Sequence, residues 1–138
     1  MSNRDTLLKT ADKIRTESFD IWVAEEGILR VDAFEGVEVD LEQTKKSFDI
    51  YSRLGFGPGK KKALQIMNGN KYFSMTKEAK DYVAQQGKLF FIAAALISDS
   101  VALRLMVNLY NSVYKHNVPF KMFATEEKAL EWLRKFKE

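Results

Sequence analysis

The stretch "KLFFIAAALI", residues 88 to 97, places nine apolar residues in a row between Gly87 and Asp99. A run of that length with no polar alternation cannot keep one face in water. It therefore predicts a central strand, covered on both faces, in a sheet of parallel neighbours. Ala93, Ala94 and Ala95 give the covering layers room to come close.

Such a strand needs crossover helices, and the flanking sequence supplies them. "SFDIWVAEEGILRVDAF" reads as two strands, about 18 to 24 and 28 to 34, with Phe19, Ile21 and Val23 alternating with Asp20, Trp22 and Ala24. The short link at Glu25, Glu26 and Gly27 makes them antiparallel, because a parallel return needs a long crossover. A helix is predicted over 41 to 54, capped by Asp40, with Leu41, Thr44, Phe48 and Tyr51 on one stripe. "ALQIM" is the next strand. Ser74 or Thr76 caps a second helix, which faces Ala79, Tyr82 and Val83 inward and ends at Gly87. The third helix opens after Ser98, Asp99 or Ser100 and runs to about Lys115, with Val101, Leu105, Leu109 and Val113 as its principal buried stripe. "VPFKMF" is the last strand. Thr125 caps a final helix whose Ala129, Leu130, Leu133 and Phe136 point to the core.

The expected fold is α/β, with a mostly parallel five-stranded sheet, an antiparallel first strand and four main helices. Residues 18–138 form one domain, since 138 residues suffice for one core. Residues 1–17 form an N-terminal arm or a short helix over about 5 to 15, with Leu7, Leu8, Ala11 and Ile14 on one side.

Composition narrows the chemistry. There is no cysteine and only one histidine, His116, so a thiolate nucleophile, a disulfide scaffold and a histidine metal cluster are excluded. No metal or other cofactor is expected. Lysine and arginine number 22 against 19 acidic residues, a net +3, and Lys60, Lys61 and Lys62 make the only triple-lysine run. Nucleic-acid binding would ask for a broader basic face, and is not expected. No apolar run is long enough for a membrane span, and the first twenty residues lack a signal-peptide core, so the expected location is cytoplasmic.

"SRLGFGPGKKKALQ", residues 52 to 65, has the glycines and lysines of a phosphate loop in the wrong places. Aligning Gly59-Lys60 with the end of G-x-x-x-x-G-K-[ST] puts Leu54 at the first glycine and Lys61 at the metal-binding hydroxyl. The segment also follows a helix and enters a strand, the reverse of a phosphate loop. Its glycines are read as turn residues. Ser98, Asp99 and His116 include the residue types of a hydrolase triad, but the last two stand at opposite ends of a helix, about 25 Å apart by helical rise.

The best candidates for regulatory or ligand contact are Ser74, Thr76, Ser98, Asp99 and Ser100. These residues fall at helix starts beyond the carboxyl ends of strands, the edge at which open α/β sheets collect ligands. No catalytic residue is assigned.

The order of elements resembles the STAS-like (SpoIIAA-like) domain of bacterial anti-sigma-factor antagonists and a divergent group of small bacterial proteins, over about residues 18–137. The sharpest feature is "ALISDSVALRLMVNLYNSVYKHNVPFKMFATEEKALEWLRKF", with Ser98-Asp99 and Ala102 opening a long helix, then Pro119-Phe120-Lys121, Phe123, Glu127, Ala129 and Trp132-Leu133. The resemblance implies a noncatalytic regulatory or protein-binding domain. In the antagonists a serine in a D-S-[ST]-G-like segment is phosphorylated. The matching stretch here is "FSMTKEA", which offers Ser74 or Thr76 without the acid or the glycine.

The alternative is a small-molecule or lipid-binding domain with Phe90, Phe91, Met106 and Phe123 around an apolar pocket; an enzyme ranks below both. The expected partners are a regulatory protein or small ligand. A homodimer is also expected, through the sheet edge beside the first strand with Trp22 outward, unless the N-terminal segment covers that edge.

Overall fold

The computed structural model describes residues 13–69, 72–114 and 118–137. Its elements are β1 (Ile14–Arg15), β2 (Phe19–Val23), β3 (Leu29–Ala33), β4 (Glu38–Val39), α1 (Leu41–Arg53), β5 (Ala63–Asn68) and β6 (Ser74–Met75). They continue with α2 (Lys77–Phe90), β7 (Phe91–Ile97), α3 (Val101–Val113), β8 (Phe120–Phe123) and α4 (Glu126–Arg134). The main sheet has the order β1-β2-β3-β5-β7-β8. β3, β5, β7 and β8 are parallel, and β2 is antiparallel to both β1 and β3. The five expected strands are all present, and β1 adds a sixth.

The period-two patterns decide which side chains meet which layer. Phe19, Ile21, Leu29 and Val31 face α1, α2 and α3, together with Phe48, Tyr51, Phe90, Leu103 and Val107. Ile28, Leu64, Ile66, Ala93, Ala95 and Ile97 face α4, against Ala129 and Leu133. Ala93, Ala95 and Ala129 are fully buried, the close approach that the alanine run allows. Helix starts follow capping chemistry. The Asp40 side chain accepts from Gln43 N while the Gln43 side chain accepts from Asp40 N, a reciprocal capping box. Thr76, Ser100 and Thr125 cap α2, α3 and α4.

Four expectations are corrected. Ile14 and Arg15, at the end of the proposed N-terminal helix, belong to an edge strand and pair with Ile21 and Asp20; residues 5–12 of that helix lie outside the described residues, as does His116. β1 occupies the edge beside β2, and Trp22 is only 9% exposed, so that strand does not offer an open dimer edge. Gly87 does not end α2: the helix continues to Phe90 and passes into β7 with no loop between. The stripe Val101, Leu105, Leu109 and Val113 is exposed, not buried. A small parallel ladder of β4 with β6 was also not anticipated.

The glycine-lysine segment is a turn that locks the end of α1. Lys60 Nζ donates to Ser52 O at 2.8 Å and to Ser52 Oγ at 3.0 Å, so this lysine caps one carbonyl of the last helical turn. Gly57 has φ +122, and a Cβ there would stand 2.8 Å from Phe90 Cε2. Glycine is required by both its conformation and the ring beside it.

At the β2–β3 turn Glu26 is a non-glycine residue in the left-handed region, with φ 65. Its carboxylate accepts from Arg134 Nη2 at 2.7 Å and from Lys137 Nζ at 3.1 Å, which fastens the end of α4 to the hairpin. The Arg134 hydrogen bond first, and Lys137 second, hold the Glu26 carboxyl at about 2, against an ordinary 4.5. A depressed carboxyl stabilises the fold above the unfolded-state value and loses that contribution as pH falls. Thermal stability is therefore expected to drop between about pH 4.5 and 2 in part through this group, and Glu26→Gln is expected to flatten that portion of the profile. Superimposable melting-temperature profiles for the two proteins in that interval would refute the assignment.

Candidate binding surface

The carboxyl ends of β5, β7 and β8 are tied together by backbone hydrogen bonds. Gly69 N donates to Ile97 O at 2.8 Å, and Ser98 N donates to Phe123 O at 2.9 Å. A Cβ on Gly69 would lie 2.8 Å from Leu96 and within 3.3 Å of Leu103 and Phe73, so Phe73 packs where the β5 and β7 ends meet α3. This brings the Ser74–Thr76 and Ser98–Ser100 segments to one end of the sheet.

At that edge the hydroxyls of Thr76, Ser98 and Ser100 serve the backbone. Thr76 Oγ1 accepts from Ala79 N, and Ser100 Oγ accepts from Leu103 N, both at 3.2 Å. Ser98 is 1% exposed and its Oγ accepts from Ser100 N at 3.0 Å. Ser74 is half-buried in β6, where its N–H donates to Val37 O at 3.0 Å. Asp99 is exposed.

The helix that starts here differs from the other three. Leu103 and Val107 are buried, and Met106 packs beside them; Tyr110 stacks edge-on to Phe120, 5.6 Å between ring centres. On the other side Val101, Leu105, Leu109 and Val113 are 71, 64, 61 and 61% exposed. They recur every four residues and so form one ridge along the helix. Arg104 is the only charged residue among the thirteen of α3. By contrast, α1 presents Glu42, Lys45, Lys46, Asp49 and Arg53. Helices that are apolar on both sides have a second surface to meet.

Beneath the inner side of α3 lies a cavity of about 110 Å³, bounded by the sheet, α1 and α2. Phe91 and Met106 line it, as does Tyr51, whose hydroxyl burial pushes upward in pKa. Phe90 and Phe123 do not belong to this lining: Phe90 stacks on Phe48, and Phe123 lies against Trp132 beside the α4-facing core. Burial likewise raises Tyr110, to about 12, at the cavity wall. Tyr114 closes one side by donating its hydroxyl to Asp81 of α2.

A polar group stands on the α4-facing side of β2 and β3. Arg30 donates to Glu126 at 2.9 Å and lies over the Trp22 ring, which Lys13 also covers at 4.4 Å. Burial raises the Asp32 carboxyl, against the pull of Arg30.

Sequence periodicity found the α3 ridge but assigned it to the core, because an apolar repeat every four residues looks the same from either side. The near absence of charge on the helix signals apolar surface on both sides without telling which side is buried.

The strand order and the helices on both faces make an α/β fold that resembles the SpoIIAA-like, or STAS-like, one. A crystal structure of an uncharacterized protein from the DUF3478 family with a SpoIIAA-like fold, from Shewanella loihica PV-4, is similar over 87% of this chain and 98% of its own, with a TM-score of 0.59 and 12% identity. At that identity the likeness is one of fold. Residues 21–137 match the family described as Domain of unknown function (DUF7793), and the chain belongs to that family. Curated protein sequences gave no match. Among the described residues no helix is long and apolar enough to cross a membrane.

Proposed function

We propose that this chain is a noncatalytic protein-binding domain with a regulatory role, and that it engages its partner through the outward face of α3. The observation that carries this reading is the ridge of four aliphatic side chains, each more than 60% exposed, on a helix with a single charge. Contiguous exposed apolar surface of this kind marks interaction sites in folded domains. Asp99 and Ser100 open the helix, so a modification or partner contact at that edge acts beside the ridge. Ser74 and Thr76 open α2 at the same sheet end. The regulatory element of the proposal draws on the fold resemblance.

A second reading, small-molecule or lipid binding, draws on the cavity under α3. At about 110 Å³ it falls below the roughly 300–1,000 Å³ of ordinary ligand pockets. The surface outside the helix therefore carries more of the argument than the space inside it.

A photoreactive residue at Leu105, compared with one at Lys128 on α4, tests the proposal in the full chain. Protein crosslinks are expected from Leu105 and not from Lys128, and they are expected to vanish when Leu109→Glu is added while the circular dichroism spectrum stays unchanged. Crosslinks that survive Leu109→Glu, or that arise equally from Lys128, would reject the α3 face.

A further inference from the structure

Two identical helices that meet across a two-fold axis set each residue near the axis against its own copy. A charge there meets the same charge, and the repulsion opposes association. A self-pairing surface must therefore be neutral at its centre, whereas a surface for a different partner has no such requirement. α3 meets this condition at the middle of the ridge: Leu105 and Leu109 stand there, Val101 and Val113 hold its ends, the exposed residues beside them include Ala102, Asn108 and Ser112, and the one charge, the exposed Arg104, lies on the flank about 100° round the helix from Leu105. α4, of nine residues, carries Glu126, Glu127, Lys128, Glu131 and Arg134.

The spacing fits as well. A row of residues four apart is the ridge that interdigitates with an identical row when two helices cross at about −50°. The row from Val101 to Val113 is about 18 Å long, enough for such a crossing. Stable interfaces bury ~800 Å² on each partner; the four aliphatic side chains supply the apolar centre, and Ala102, Arg104, Asn108 and Ser112 beside them belong to the rim.

We infer that the partner on this face is a second copy of the chain, packed ridge to ridge through α3. The inference rests on the protein-binding reading of the same surface and names its occupant. It also replaces pairing through the β2 edge, which β1 already fills. The dimer so formed leaves both Ser98–Ser100 edges at the ends of the paired helices.

Light scattering on the full chain, over micromolar to millimolar concentration, is expected to show twice the chain mass. The Leu105→Glu/Leu109→Glu double variant is expected to raise the dimer dissociation constant by about a hundredfold or more, with an unchanged circular dichroism spectrum. A single-chain mass for the natural sequence at every concentration would overturn the second copy. If Leu105 crosslinks to a different protein in that case, the protein-binding reading stands without it; if the chain instead floats with phosphatidylcholine–phosphatidylglycerol vesicles and the double variant does not, both fall. A dimer that persists in the double variant would likewise overturn pairing through α3.

Discussion

Phe48→Ala is expected to lower the free energy of unfolding by about 3–5 kcal/mol, measured by urea denaturation. Its ring sits 4.9 Å from that of Phe90, 5.2 Å from Tyr51, 5.3 Å from Tyr82 and 5.8 Å from Phe91, centre to centre. One side chain thus joins α1 to α2 and to β7. Edge-to-face pairs add to the area term, and all are lost together. Phe48 also lines the existing cavity, so truncation enlarges a void instead of opening a new one that neighbours can fill. A loss below about 1 kcal/mol, the size of an average surface or tolerated change, would show that the ring cluster contributes little.

Leu103→Asp is expected to leave no folded protein at 25 °C, while Leu105→Glu on the same helix is expected to leave the fold of the single chain intact. Leu103 is fully buried against Leu96 and Phe73 at the end of β7, whereas Leu105 is 64% exposed. Removing the buried leucine costs about 2–5 kcal/mol, and an uncompensated carboxylate in its place adds several more. Together these approach the ~5–15 kcal/mol that holds an ordinary domain folded. Amide dispersion in a proton NMR spectrum reads both outcomes. A dispersed spectrum for Leu103→Asp, or a collapsed one for Leu105→Glu, would reverse the inside and outside faces of α3.

That contrast marks the boundary of what the sequence discloses. Alternation in "SFDIWVA" and the short link at Gly27 suffice for the β2–β3 hairpin, and Asp40, Thr76, Ser100 and Thr125 announce helix starts because their side chains bond the first free N–H groups. The apolar run locates β7 but not its beginning. Glycine in a helix costs about 1 kcal/mol, which makes Gly87 look like a stop, yet tertiary packing of Phe90 on Phe48 and Tyr51 draws the helix three residues further. The ladder of β4 with β6 has two residues per strand, too few for alternation to register. For α3, periodicity gives two apolar faces and no means of choosing between them; only the packed sheet shows that Leu103 and Val107 point inward. The hydroxyls at the carboxyl edge were legible as caps, and Thr76 and Ser100 act as such.

The direct passage from α2 into β7 bears on how this chain can vary. Most connections in α/β domains have a few residues of slack, in which lengthening or shortening of the chain does no harm. Between Phe90 and Phe91 there is none. One residue added at that junction would turn Phe90 away from Phe48, enlarge the irregularity that already sets Ala63 and Leu64 opposite Phe91 and Ala93, or slide β7 by one position, and a one-residue slide exchanges the two faces of a strand. Ala93 and Ala95 would then meet the three-helix side, and Leu96 would be driven against α4. Surface loops accommodate changes of length, whereas at this seam a slide of one residue changes which layer each side chain of β7 meets.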